Sequence, residues 1–263
     1  MARELRRLLV APARLAAPLA QAGSPLRLEL EPAERHYLAR VLRLRGGDRF
    51  AIGDGAGRLW TARLLESAAQ LEQPLDRPLE VGAPPQPRLT LAAALPRLDA
   101  EVLVRMACEL GIDALQLLQA ERSGGGQGPR PGRLEAIVRE AAEQCERLWL
   151  PELLAPRPVR ELFAAPADGP RLLACSRGEG LPLLDQALVA LAVGAVPIGV
   201  TLAVGPEGGW SPAEQAAASA AGWQSISLGP TILRVSTAAV AGAAILSRWR
   251  LGLPCPSCSG PSP

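Results

Sequence analysis

The residues best suited to chemistry lie in two segments that are poor in side chains. In "LAVGPEGGWSPAE" (202–214) an apolar run passes into Gly205-Pro206-Glu207-Gly208-Gly209. A helix start follows at once, with Ser211 as N-cap, Pro212 at N1 and Glu214 at N3. In "LGPTILR" (228–234) a second Gly-Pro pair follows an apolar strand and precedes a helix. Loops of this kind leave backbone N–H and C=O groups open to a flat polar ring such as adenine. A phosphate is better served by a helix N-terminus flanked by cations. The same two segments are also compatible with plain turns.

Several other chemistries are excluded or weak. The chain contains no Lys, so a P-loop (G-x-x-x-x-G-K-[ST]) is absent. Gly53-Asp54-Gly55-Ala56-Gly57 lacks the spacing and the following helix of a dinucleotide fingerprint, and reads as a hairpin turn. "LLACSRGEG" (172–180) faintly resembles the first motif of Rossmann-type methyltransferases, but has no acidic residue at its strand end. Cys255 and Cys258 form a lone C-x-x-C in a Pro-rich tail (251–263), which reads as disordered, and one such pair cannot complete a zinc site. No metal site is expected.

The elements that position the two loops follow from pattern. Residues 1–72 look like a small β-barrel with one helix over 31–44, and 73–88 is a Pro-rich linker. From 89 to 250 strands and helices alternate: strands at "RLTLAAALP", "ALQLLQA", "PRLLACS", "GVTLAVG" and "QSISLG", helices over 99–110, 133–148, 212–221 and 235–250. Such alternation predicts an α/β fold with a parallel sheet covered by helices. The start imitates a signal peptide, but Pro12, Arg14 and Pro18 break its apolar run. The longest apolar stretch, 187–204, is interrupted by Gly194, Pro197 and Gly199. No membrane partner is expected, and the location implied is cytoplasmic. The net charge is +2, yet residues 1–70 hold twelve Arg against seven acidic residues. That basic end suits a nucleic-acid partner, or an ordinary solvated surface.

The two loops in order, "LAVGPEGGWSPAE" then "LGPTILRVSTAAVAGAAIL", resemble the SPOUT-class RNA methyltransferases. With "HYLARVLRLRGGDRFAIGDGAG", "ACELGIDALQLLQAERS" and "EAAEQCERLWLPEL", the chain is similar over most of 7–250 to the ribosomal RNA small subunit methyltransferase E family. The resemblance implies a PUA-like RNA-binding barrel, then a catalytic domain with a deep trefoil knot, and a homodimer. It implies S-adenosylmethionine as cofactor and N3 of a uridine in 16S rRNA of the small ribosomal subunit as target. By the same resemblance the cofactor loops comprise Val204, Gly205, Pro206, Glu207, Gly208 and Gly209, then Leu228, Gly229, Pro230, Ile232, Leu233 and Arg234. The sequence departs from the family at Ser236, where Glu is usual, and at Thr231, where Arg is common.

Methylating N3 requires loss of its proton and stabilisation of charge on the flanking carbonyl oxygens, a task for Arg donors. Arg234 and Arg122 are the candidate catalytic residues; a structural role for Arg234 reads equally well. Glu207 suits ordering of loop amides. Arg35, His36, Arg40, Arg43 and Arg45 are candidate RNA contacts, with a structural imidazole the alternative at His36. Arg147 faces RNA or a partner subunit by resemblance, or pairs with Glu143 one turn earlier. Two rival readings share these residues: an RNA-binding relative with impaired activity, and a SPOUT methyltransferase with another RNA target.

Overall fold

A computed structural model of the chain describes residues 5–15, 26–96, 99–124, 132–166, 168–193 and 195–253. Cys255 and Cys258 lie outside the described residues, as does most of the glycine-rich stretch after Ser123. The chain divides into two compact units: residues 1–84 with 139–150, and 85–138 with 151–263.

The first unit contains β1 (Arg7–Leu9), α1 (Pro12–Leu15), β2 (Arg27–Glu29), α2 (Pro32–His36), β3 (Arg49–Gly53), β4 (Arg58–Leu64), β5 (Ala68–Leu71) and β6 (Glu80–Val81). Its sheet runs β1-β3-β4-β5-β2, with β6 on β4. The β3–β4 hairpin turns where expected. Buried Asp54 accepts the amides of Ala56 (2.8 Å) and Arg58 (2.9 Å), so its carboxylate closes the loop. Leu8 and Val10 of the signal-like start are buried in this unit's core with Phe50, Ile52 and Trp60. The helix expected over 31–44 breaks its period after His36: Tyr37–Val41 form a π-helical turn, and Arg43 is left-handed (φ 57°).

The second unit holds β7 (Arg88–Ala94), α3 (Ala100–Glu109), β8 (Ala114–Gln119), β9 (Glu152–Pro158), α5 (Val159–Ala164), β10 (Arg171–Ala174), α6 (Leu184–Ala192), β11 (Gly199–Val204), α7 (Pro212–Ala220), β12 (Gln224–Ile226) and α8 (Val235–Leu251). Helix α4 (Arg133–Gln144) precedes β9. The sheet order is β12-β10-β11-β7-β8-β9, parallel throughout. Central strands β7 and β11 are apolar on both faces because helices cover both. In α3 the buried Leu103, Val104, Ala107 and Cys108 recur at helical spacing and join Leu134, Leu202 and Leu246 in one core. On the other face Phe163 packs edge to face with Trp223 (ring centroids 5.2 Å) and tilted against Trp210 (5.9 Å).

Two differences from the sequence expectation are instructive. The helix expected over 133–148 stops at Gln144, and Glu146 is left-handed (φ 61°). Residues 148–150 pair with the β3–β4 hairpin instead: Gly57 N donates to Leu148 O, and Leu150 N to Gly55 O. That pairing outweighs local helix propensity. Glu143 does not pair with Arg147 as an i,i+4 ion pair would require. It is buried, accepts Leu9 N at 2.8 Å and receives the Tyr37 hydroxyl. Burial pushes its carboxyl up to about 7. Burial, then the Glu143 carboxylate, pushes the Tyr37 phenol up to about 12.

The chain enters the second sheet at β7, builds outward to β8 and β9, then returns to β10, β11 and β12 on the other side. The direction of building reverses between β7 and β11. In open α/β sheets a crevice forms outside the carboxyl ends of the strands at that switch point.

Candidate functional site

Five strand exits of the second unit meet at this carboxyl edge. Loop 205–209 leaves β11, Cys175–Arg177 leave β10, Ile232 and Leu233 follow β12, Arg122 follows β8, and Asp99 follows β7. They enclose two adjoining clefts.

The first cleft, about 420 Å³, is lined by loop 205–209, Ala174–Arg177, Trp210, Gln215, Ile232, Leu233 and Arg122. Its wall is largely backbone. Gly205 lies flat against the Trp210 indole; a Cβ there would stand 2.9 Å from the ring. Trp210 is 5% exposed, and its Nε1 donates to Ala174 O at 2.9 Å, tying the exit of β10 to that of β11. The Arg122 guanidinium donates Nη1 to Gly208 O (3.1 Å) and Trp210 O (3.4 Å).

A buried carboxylate holds this wall. Glu214 is 1% exposed. Its Oε1 accepts Glu121 N (2.8 Å) and its Oε2 accepts Ser211 N (2.8 Å), while Glu214 N donates to Ser211 Oγ (3.1 Å). The capping box read from "SPAE" is therefore present, and its acid also fastens the chain next to Arg122. Glu121 is held below the usual carboxylate range, first by the Ser211 hydroxyl and then by Arg160. Burial pushes the Cys175 thiol up, partly offset by a hydrogen bond with Ser225.

The second cleft, about 450 Å³, is lined by Pro96, Asp99, Gly124, Arg234 and Ser236, and shares Arg122, Glu207 and Val235 with the first. A backbone-lined slot thus abuts a charged pocket across a three-residue wall. Among the described residues no group of three or more His, Cys, Asp or Glu could hold a metal ion, and no helix is long and apolar enough to cross a membrane.

A family profile described as RNA methyltransferase domain matches residues 84–247, and one described as RNA methyltransferase PUA domain matches 30–70. A ribosomal RNA small subunit methyltransferase E from a Synechocystis species is 41% identical over 215 residues, covering 80% of this chain and 69% of its own. The chain belongs to the ribosomal RNA small subunit methyltransferase E family. The Mycobacterium tuberculosis member of this family is 34% identical, over 82% of this chain and 86% of its own. The crystal structure of the Neisseria gonorrhoeae methyltransferase E bound to S-adenosyl methionine is 25% identical, with a TM-score of 0.74 over 93% of this chain and 98% of that one. The expected SPOUT-type parallel sheet behind a PUA-like domain is thereby met.

In this family member Gly205, Pro206, Glu207, Gly208, Gly209, Ile232 and Leu233 line the first cleft together, and Arg122 lines both clefts. Val204 is buried at the end of β11. Leu228, Gly229 and Pro230 do not line either cleft, and Arg234 lines the second rather than the first. Arg35, His36, Arg40, Arg43 and Arg45 are exposed on the first unit. Arg147 is half-buried in that same unit and donates Nε to Trp149 O (3.1 Å). Sequence reasoning missed Cys175–Arg177, Trp210, Gln215 and Asp99 as cleft residues. For Trp210 a signal existed: a large apolar residue between Gly209 and the helix cap has to pack on something.

Proposed function

We propose that this protein transfers a methyl group from S-adenosylmethionine to N3 of a uridine in 16S rRNA. The observation that carries the reading is the pair of adjoining clefts, one backbone-lined and one charged, sharing Arg122, Glu207 and Val235. The first cleft fits the cofactor on its own chemistry. Gly205 leaves a flat approach that a Cβ would fill, and Ile232 and Leu233 offer apolar faces to a purine. When bound, the cofactor supplies an electrophilic methyl on a sulfonium leaving group. The protein's own work is positioning and charge control. Arg234 and Arg122 supply donors toward charge developing on the uracil oxygens.

The first unit, whose Arg-rich residues 1–70 include Arg35, His36, Arg40, Arg43 and Arg45, serves as the RNA-binding module, and residues 89–250 as the methyltransferase domain. Arg147 supports the first unit's own fold as well as facing a partner. A homodimer, a trefoil knot at the cofactor loops and a cytoplasmic location complete the proposal. Nucleoside mass spectrometry of 16S rRNA from cells lacking the protein tests it: N3-methyluridine should vanish, and its persistence refutes the assignment. Calorimetry with the methyl donor separates an active enzyme from an impaired RNA-binding relative, which would release no heat.

A further inference from the structure

The reaction proposed above leaves one demand unmet. The uracil N3 carries a proton at neutral pH, and something must accept it. Three acids or bases of this chain bear on the problem: Asp99 and Glu207 line the second cleft, and His36 lies on the other unit.

Asp99 has an unusual position. It is the N-cap of α3, where Asp normally turns its carboxylate back to accept the N2 or N3 amide. Here no side-chain cap bond forms, although its carbonyl accepts Leu103 N at 2.9 Å in the ordinary way. Its backbone is left-handed (φ 67°, ψ 16°), where an N-cap is ordinarily extended; among non-glycine residues Asp and Asn hold this conformation most readily. Among the described residues its carboxylate has no hydrogen-bond or ion-pair partner, and it borders the second cleft with Arg122, Arg234 and Glu207. Glu207 is a poorer choice: it lies in the wall common to both clefts and is already engaged by other groups.

We propose that Asp99 is the proton acceptor for the target uracil. The proposal rests on the N3-methyltransferase reading. The N3–H bond breaks toward an Asp99 carboxylate oxygen. The freed N3 electron pair forms the new N–CH₃ bond, and the C–S electron pair leaves on sulfur. Negative charge passing through O2 and O4 meets the Arg234 and Arg122 guanidinium groups that line the same cleft. Asp99 is exposed, so its carboxylic acid returns the proton to solvent. Among the described residues the charged groups around it in the cleft are Arg122, Arg234 and Glu207, and Glu101 in the first turn of α3 is paired with Arg133 at 2.8 Å.

The test compares wild type with Asp99→Asn and Asp99→Ala on 30S subunits from cells lacking the protein. Asn tolerates the left-handed backbone, so Asp99→Asn keeps the fold. Its single-turnover methylation rate is expected to fall by about a hundredfold or more at pH 7, with affinity for the methyl donor unchanged. Its rate should then climb about tenfold per pH unit as solvent base takes over, while wild type stays flat above neutrality. A second readout needs no donor. Wild-type protein should bind unmethylated subunits roughly tenfold more tightly than the same subunits after full methylation, and Asp99→Ala should not distinguish them. An Asp99→Asn rate within threefold of wild type overturns the proposal, as does unchanged discrimination by Asp99→Ala. A wild-type protein that makes no N3-methyluridine refutes the underlying reading, and the Asp99 proposal falls with it.

Discussion

The two loops that shape the first cleft are built in opposite ways. Loop 205–209 is clamped from behind by the Trp210 ring, by Arg122 on the Gly208 carbonyl and by the buried Glu214 carboxylate. Segment 228–234 is held more loosely, by Leu228 and Leu233 packed against the core and by one serine. Ser227 Oγ accepts Gly229 N at 3.1 Å and bonds Gly229 O at 3.2 Å, while Pro230, Thr231 and Arg234 are exposed and Ile232 is 69% exposed. One wall of the cleft is preformed. The other presents an apolar side chain to water until something covers it. Preformed walls lower the ordering cost of binding, whereas adaptable walls gain their contacts only in the complex.

The largest effect should come from the clamp. Glu214→Ala orphans the buried Ser211 amide and the part-buried Glu121 amide and removes half a capping box, and should cost about 4 kcal/mol in urea denaturation. A loss below about 1 kcal/mol would mean that the wall holds itself up without the carboxylate. Glu143, the buried acid of the other unit, sharpens the point because it touches neither loop. Its carboxyl is raised to about 7, so the folded state binds a proton that the unfolded state has released between about pH 4.5 and 7. Stability contributed by that proton is full below pH 4.5 and lost as pH rises through 7. Glu143→Gln should therefore match wild type near pH 4.5 and exceed it by roughly 3 kcal/mol at pH 8, with donor affinity unchanged. Equal stability at both pH values would show that this acid carries no such load.

Next in size is a pair of glycine substitutions. Gly205→Ala drives a methyl into the Trp210 ring and should weaken donor binding by about 2 kcal/mol, near thirtyfold. Gly229→Ala meets no atom within 4 Å and strains only its backbone (φ 130°), costing about 1 kcal/mol of stability and little affinity. Equal losses of affinity in calorimetry would erase the distinction between the loops. The smallest effect is Ile232→Ala. An exposed side chain contributes within about 0.5 kcal/mol to folding, so melting should barely move. Donor affinity should still fall by about 1 kcal/mol, because binding covers that side chain. An unmoved affinity would show that the second wall stays open.

What could be read from the sequence follows from how local each signal is. The 205–214 loop was legible because Gly, Pro and an S-P-x-E cap are local instructions, and the β3–β4 turn was legible through Asp54-Gly55. Helix α6 was hidden inside an apolar stretch that also contains β11, separated only by residues 193–198. The end of α4 was illegible because pairing of Leu148 and Leu150 with a hairpin some ninety positions earlier decides it. In the same way nothing in "LACSRGEG" marks Cys175–Arg177 as a wall of the first cleft. They line it only because β10 lies next to β11 in the sheet. Asp99 carries no pattern at all; its position follows from where β7 ends.

The start of α7 has a consequence for anions. Helix N-termini ordinarily attract anions through their free amides. Pro212 has no amide to give, and the Glu214 amide is already committed to Ser211. The Glu214 carboxyl also folds back over that first turn, onto the Ser211 amide. Of the first three helical positions only Ala213 keeps an amide outside these commitments, so the start of α7 is a poorer anion site than an ordinary helix N-terminus.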